Sequence, residues 1–312
     1  MTEALDLDSA ATLLLDTKWG RRAGAERVHV GVNKATWRVG DCWLTCDVPR
    51  RATHVARMHR LLARLSATPG LDIDVPVVIA TREGDELVRY ADRVWWLTRH
   101  VGGRQPDPRN MADTAAVAYG LARLHRAMRA LPGDLAVVDD TVVSLFELAA
   151  DLVARGRLAF SPDDKKLLGR AEAVVREWLP RLTAVAPQLI HGDPSNPNLR
   201  VGHEPVRLSG ALDWDQARFD LVLADLATVA QTVVFRSGTT APRESLDAMT
   251  EAYTAAGGRQ FTRHEVLVGL ILVKFESIAH HGTRYLHGET DLAMVTSQVE
   301  KIRTALELYE SP

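Results

Sequence analysis

The hydrophobic pattern of this chain changes period once, and that change restricts its architecture more than any composition figure. Up to Arg99 most apolar runs have the two-residue period of strands: Arg27–Val32, Ala35–Val39, Cys42–Val48, Val75–Ala80, Glu86–Tyr90 and Arg93–Arg99. Turn formers separate them: Gly31, Asn33, Gly40 and Asp41, with Gly84–Asp85 expected as a hairpin turn. Two helices break the series, a short amphipathic one from Leu5, Leu13 and Leu14 and one over Ala52–Leu65, where Val55, Met58, Leu61, Leu62 and Leu65 have helical spacing. His100–Pro108 holds Gly102, Gly103, Pro106 and Pro108 and is expected to link two lobes. Beyond it the pattern is helical over Thr114–Ala130, Val143–Ala154 and Asp163–Leu179, strand-like at Gln188–Ile190, and helical again after Asp220. Strands first and helices afterwards give an α+β fold with segregated lobes, 1–99 and 100–312. A length of 312 residues accommodates two such lobes.

The charge balance, 38 Lys+Arg against 40 Asp+Glu, leaves a net charge of -2 and no basic footprint for nucleic acid. The start of the chain is acidic and lacks the basic n-region of a signal peptide. The longest apolar run, Val266–Val273, falls far short of the ~20 residues of a membrane span. Cys42 and Cys46, if on one strand, are about 13 Å apart and cannot bridge. Unpaired thiols fit a reducing cytosol, so a soluble cytoplasmic protein without membrane partners is expected.

The chemistry concentrates in Leu189–Ala227, which contains His191-Gly192-Asp193, then Asn198, then Asp213 between Leu212 and Trp214. Phosphoryl transfer needs a carboxylate to orient and deprotonate the acceptor, and hard oxygen ligands for Mg²⁺ on the nucleotide phosphates. One Asp, an Asn five residues on and a second Asp after a hairpin supply that set. A zinc-hydrolase reading through His191 and His203 lacks the His-x-x-x-His spacing that would support it.

In this segment the sequence resembles the aminoglycoside phosphotransferase and choline kinase family, whose members share the protein-kinase-like fold. The resemblance extends to Gly31–Val39 (GVNKATWRV), Leu121–His125 (LARLH) and Tyr253–Gly258 (YTAAGG). It implies a bilobal fold, a small β-rich N-lobe and a larger helical C-lobe, with ATP or GTP and Mg²⁺ as cofactors. It further implies Asp193 as catalytic base, Asn198 and Asp213 as metal ligands, and His191 as the brace of the catalytic loop. Asp225 resembles the aspartate that ties helix to loop, while Asp215 and Asp220 match acidic positions with less defined roles. Phe219 and Leu221 replace the usual Gly and Pro around Asp220. Thr98–Val101 would form the nucleotide hinge, with Thr98 and His100 beside the base and Asn33 and Lys34 above the phosphates.

One departure is serious. Kinases of this fold carry a lysine on the third strand, paired with a glutamate on the next helix. Here the lysines are Lys18, Lys34, Lys165, Lys166, Lys274 and Lys301, with none between Lys34 and Lys165. Thr45 or Cys46 stands at the lysine position and Met58 or His59 at the glutamate position; no acidic residue occurs from Val48 to Leu71. Losing both partners avoids a buried unpaired charge. Two readings follow. Lys34 substitutes from the first hairpin, since a lysine is a point charge on a flexible stem, or the chain is a pseudoenzyme acting as a binding or partner module in a biosynthetic pathway. Arg50 and Arg51 read as a solvated face, Trp95 and Trp96 as packing residues, and His280 and His281, adjacent on a helix and about 100° apart, as a poor joint site, with a place near an acceptor pocket as the alternative. For a cationic acceptor, Glu265, Glu276, Glu289 and Asp291 are the candidate contacts. The expected activity is O-phosphotransfer to a small-molecule or peptide hydroxyl.

Overall fold

The computed structural model describes residues 6–22, 24–28, 34–235 and 242–311. Helix α1, Leu7–Trp19, begins where the Asp6 carboxylate accepts from the Asp8 and Ser9 amides and ends at left-handed Gly20. An antiparallel sheet follows, made of β1 (Glu26–Val28), β2 (Ala35–Val39), β3 (Cys42–Asp47), β4 (Val78–Ile79), β5 (Val88–Tyr90) and β6 (Arg93–Arg99). Its order is β1-β2-β3-β6-β4, with β5 also on β6. Period-two alternation gives the sheet two apolar faces. Cys42, Leu44 and Cys46 join Trp37, Trp95 and Leu97 against Leu14, Leu15 and Trp19 of α1. On the other face Val94 and Trp96 meet Leu61, Leu62 and Leu65 of helix α2, Ala52–Ser66. Both thiols are free and buried, and burial pushes Cys42 up to about 11.

The hairpin expected at Gly84–Asp85 is a turn closed by Thr81, but it joins no paired strands, because β4 and β5 each pair with β6. The tight hairpin lies one step later at Ala91–Asp92, where both residues have positive φ and Tyr90 pairs with Arg93. Ala is a poor residue for that conformation, which left the turn without a sequence signal.

Past the linker come α3 (Met111–Arg129), α4 (Val142–Ala154), α5 (Pro162–Thr183), β7 (Gln188–Ile190), β8 (Leu199–Val201), β9 (Leu208–Ala211), β10 (Arg218–Asp220), α6 (Val222–Phe235), α7 (Pro242–Ala255), α8 (Arg263–Leu286) and α9 (Leu292–Glu310). Strand β7 pairs with β10 and β8 with β9, both antiparallel. The run Val266–Val273 is buried in α8, the helix around which α4, α6 and α9 pack. A helix apolar on all sides needs such a position. Among the described residues no helix is long and apolar enough to cross a membrane. The linker is fastened to the β8–β9 hairpin by a reciprocal pair of backbone bonds between Arg104 and Val201, 3.0 and 2.8 Å. Beside it Gly210 lies so close to Val101 that a Cβ would stand 2.2 Å from its Cγ1.

Candidate active site

The site is assembled on the loop that leaves β7. Gly192 has φ +85°, and a Cβ there would fall 1.9 Å from the Gln216 carbonyl oxygen, so only glycine fits. The loop is held from beneath by Asp225 in the first turn of α6. Its carboxylate accepts from the His191 and Gly192 amides, each at 2.8 Å, and from His125 Nε2 at 2.9 Å. A carboxylate partner makes Nε2 the protonated nitrogen, so Nδ1 of His125 accepts from the Tyr253 hydroxyl at 2.6 Å. The motifs LARLH and YTAAGG thus converge on one buried polar chain under the loop. Burial alone would raise the pKa of Asp225, but the His125 bond and charge and the His191 amide hold it below the usual carboxylate range. His191 donates from Nε2 to the Leu212 carbonyl, 2.9 Å, and its Nδ1 accepts from the Asp193 amide, 3.3 Å. Its complete burial favours the neutral ring. His191 therefore fastens the Asp193 loop to the segment bearing Asp213.

Asp193, Asn198, Asp213 and Lys34 come together in front of this support. Asn198 Nδ2 donates to the Asp193 carbonyl at 3.0 Å and to its carboxylate at 3.1 Å, while Asn198 O accepts from the Leu212 amide at 2.7 Å. Asp213 adopts the left-handed conformation, φ 55°, ψ 68°, and its carboxylate is half exposed. Lys34 Nζ donates to Asp213 Oδ1 at 3.1 Å and forms an ion pair with Asp215. Burial lowers the Lys34 pKa, but the Asp215 and Asp213 charges outweigh it, and the net direction is upward. Burial pushes Asp193 up to about 6, opposed by its bond to Ser195 and reinforced by the Asp213 and Glu276 charges. Two carboxylates that repel each other beside an amide oxygen suit Mg²⁺, a hard ion that takes one or two carboxylates plus substrate phosphates and water. Among the described residues no group of three His, Cys, Asp or Glu side chains offers a closed metal cage. Thr98 and His100 lie at the end of β6 in contact with Trp43; Thr98 Oγ1 donates to the Trp43 carbonyl at 3.5 Å, and Trp43 Nε1 donates to His100 Nδ1 at 2.9 Å. Asn33 lies outside the described residues.

The charged groups of the N-lobe lie around the end of β3 and the start of α2. Cys46 faces α1, so Thr45 is the residue of β3 on the α2 face, opposite Trp96. His59 is in the core at 6.2 Å from the Trp96 ring, and burial lowers its pKa to about 4. Buried Asp47 ends the strand, with Arg51 Nε 3.6 Å from its carboxylate. Arg51 also reaches Asp215 at 3.4 Å and His54 Nε2 at 2.5 Å. The solvated face expected for Arg51 is thereby corrected: the side chain bridges strand, helix and the Asp213 segment. The i,i+4 spacing of Asp47 and Arg51 was the available signal.

A cavity of about 530 Å³ opens beside Asp193, lined by Gly192, Gln216 and Arg218 and by Glu276, His280 and Arg284 of α8, among others. Glu276 is engaged in a bidentate pair with Arg218, 2.7 and 3.0 Å, and Arg218 Nε donates to Asp220 at 2.8 Å. Asp220 also caps α4 by accepting from the Val142 amide. Of the other acidic candidates, Glu265 forms the capping box of α8, Asp291 caps α9, and Glu289 lies 3.4 Å from Arg284.

Residues 24–266 match the model of the phosphotransferase enzyme family, APH, and the chain belongs to that family. No curated protein sequence matches it. Among solved structures, the aminoglycoside phosphotransferase APH(3'')-Id from Streptomyces rimosus is similar at 24% identity over 86% of this chain and 98% of that one, TM-score 0.61. A microcompartment-associated aminopropanol kinase is similar at 17% identity over 97% and 96%, TM-score 0.71. A choline/ethanolamine kinase family protein from Mesorhizobium loti is similar at 16% identity over 97% and 95%, TM-score 0.69. These similarities establish the bilobal, protein-kinase-like fold.

Proposed function

We propose that this protein is an O-phosphotransferase that moves the γ-phosphoryl group of ATP, or GTP, to the hydroxyl of a small molecule in the cytoplasm. The observation that carries the reading is the hydrogen-bonded group Asp193–Asn198 facing Asp213 at the mouth of an open cavity. Structures of the same fold solved with ADP and streptomycin or with GDP and kanamycin support nucleotide use. The lobes meet at 99/100, with nucleotide between them and acceptor in the cavity. Asp193 orients the acceptor hydroxyl and takes its proton as the oxygen bonds to the γ-phosphorus. The bond from that phosphorus to the β–γ bridging oxygen breaks, and the nucleoside diphosphate leaves. Asn198 and Asp213 would hold Mg²⁺, which offsets the phosphate charge when bound.

Lys34 substitutes for the missing strand lysine. Its ammonium rests on Asp213 and Asp215, beside the carboxylate that would hold the metal and so beside the place where phosphate would bind. Lys34→Ala is expected to weaken ADP affinity about tenfold, the weight of one charge-assisted contact, with adenosine affinity unchanged. Equal losses for ADP and adenosine in calorimetry would remove Lys34 from phosphate binding.

The direct test is a thermal-shift titration with ATP and Mg²⁺. A rise in Tm that saturates with nucleotide is expected from the mass-action stabilisation of the bound state. No rise at millimolar ATP would favour the non-catalytic module, a reading that Thr45 in place of a lysine keeps in play.

A further inference from the structure

The cavity beside Asp193 has a charge distribution that selects its acceptor, and the inference rests on the phosphotransfer reading above. Its inner wall is the α8 face carrying Lys274, Glu276, Ser277, His280, His281 and Arg284. Glu276 pairs with Arg218, whose guanidinium it shares with Asp220. Asp193 is the reacting group, and Asp140 is exposed at the cavity edge. The far end is the opposite in character. His281 stands among His280, Arg284, Lys301 and Lys274, all of which disfavour its protonation, and together with burial they lower its pKa to about 4. Glu289, the carboxylate near Arg284, is more than half exposed on the side chain, so water screens it. Lys274 donates to Gln231 at 2.7 Å at this end.

Two polar atoms there are buried without a hydrogen-bond partner, His281 Nδ1 and Arg284 Nε. Glu289 stands 3.4 Å from Arg284 Nε as a countercharge, outside hydrogen-bond geometry. Buried polar groups are paired in the great majority of cases, so these two exceptions beside the cavity wall call for a partner that a small side-chain shift would admit. A polyamine acceptor would bring positive charge to a wall already holding Arg284 and Lys274, with Glu276 committed to Arg218. An anion meets complementary charge at the same wall, where Arg284 and Lys274 line the cavity.

We propose that the acceptor carries an anionic group, a carboxylate or a phosphate, seated against Arg284 and His281 with Lys274 behind, while its hydroxyl reaches Asp193. The anion anchors the molecule and turns the hydroxyl toward the base. In the unliganded cavity His281 is neutral, and a seated anion draws a proton onto it.

A matched series of glucose 6-phosphate, glucose and glucosamine, titrated calorimetrically into the full chain saturated with ADP and Mg²⁺, varies charge on one hydroxyl-bearing ring. Glucose 6-phosphate is expected to bind at least ten times more tightly than glucose, and glucosamine no better than glucose. Arg284→Gln and His281→Leu should each remove that preference and leave ADP affinity within twofold. Equal affinities, or tightest binding of glucosamine, overturn the proposal. A second readout needs neither a variant nor a fitting sugar. Inorganic phosphate should raise the NMR-titrated pKa of His281 by a unit or more, and an unmoved His281 also overturns it. Failure of ADP to bind the unaltered chain would instead strike the phosphotransfer reading, which separates the two.

Discussion

Asp193→Ala is expected to lower turnover by roughly 10²–10⁴-fold, the range for removing a positioned general base, with nucleotide affinity little changed. A coupled assay of nucleoside diphosphate release measures both, and an unchanged rate takes Asp193 out of the mechanism. Position supports the proposed role. Asp193 leaves a loop braced by His191, is oriented by the Asn198 amide, and borders the acceptor cavity. Its environment makes a second, independent forecast for the free protein in chelator. Burial raises the folded-state pKa from 3.8 to about 6, so the folded protein retains a proton on Asp193 that the unfolded chain has released. Stability contributed by the protonated carboxyl is complete below the unfolded value and lost as pH rises towards 6. Asp193→Asn, which cannot ionise, should therefore match the parent below pH 4 and exceed it by about 1–3 kcal/mol above pH 6, because a tenfold change in proton affinity is worth about 1.36 kcal/mol. Equal unfolding midpoints at pH 7.5 would show that burial imposes no such penalty. A site that is destabilising while active is the ordinary consequence of pre-organised chemistry.

Legibility in the sequence varied with how locally each feature is encoded. Strands β2, β6 and β7 had the bounds that alternation and flanking turns predict, because their pattern is complete within the segment. Strand β4 is reduced to Val78–Ile79 although apolar residues run from Val75, since the ladder with β6 covers those two residues and only the Val77 carbonyl bonds to β6 beyond them. Asp193, Asn198 and Asp213 could be picked out because a loop and a hairpin of fixed length join them. The contacts of Arg51 and His54 with Asp215 could not be placed, because Asp215 lies more than 160 positions away. A run of two arginines looks the same whether solvated or bridging. The proposed acceptor cavity was the least legible part. Counting carboxylates on and just after α8 suggested an acidic pocket, but the Arg218 pairing that engages Glu276 connects a short strand to a distant helix. Acidic residues seen in sequence do not amount to negative potential until their partners are known.

The second large effect is one of stability. Asp225→Ala is expected to destabilise the fold by about 3–5 kcal/mol, as when one partner of a buried ionic group is removed. Asp225 is fully buried, and its loss strands the His191 amide, the Gly192 amide and His125 Nε2, three donors with no solvent to turn to. Alanine also leaves a void beneath a loop whose glycine already touches the Gln216 carbonyl. Asp225→Asn keeps the volume and one acceptor oxygen and should lose less, although its amide then faces a donor. The pH dependence separates ionic from packing loss. With its folded-state pKa depressed, Asp225 contributes stability that is full above the ordinary carboxylate range and lost as pH falls through the folded value. The deficit of Asp225→Ala in denaturant midpoint should therefore be greatest near neutrality and narrow in acid. A deficit constant from pH 7 to pH 3.5 would assign the whole effect to the void. Because the same carboxylate shapes the backbone that presents Asp193, turnover of the folded Asp225→Asn protein should fall as well, through kcat rather than nucleotide KM: the support and the chemistry are joined by two amides.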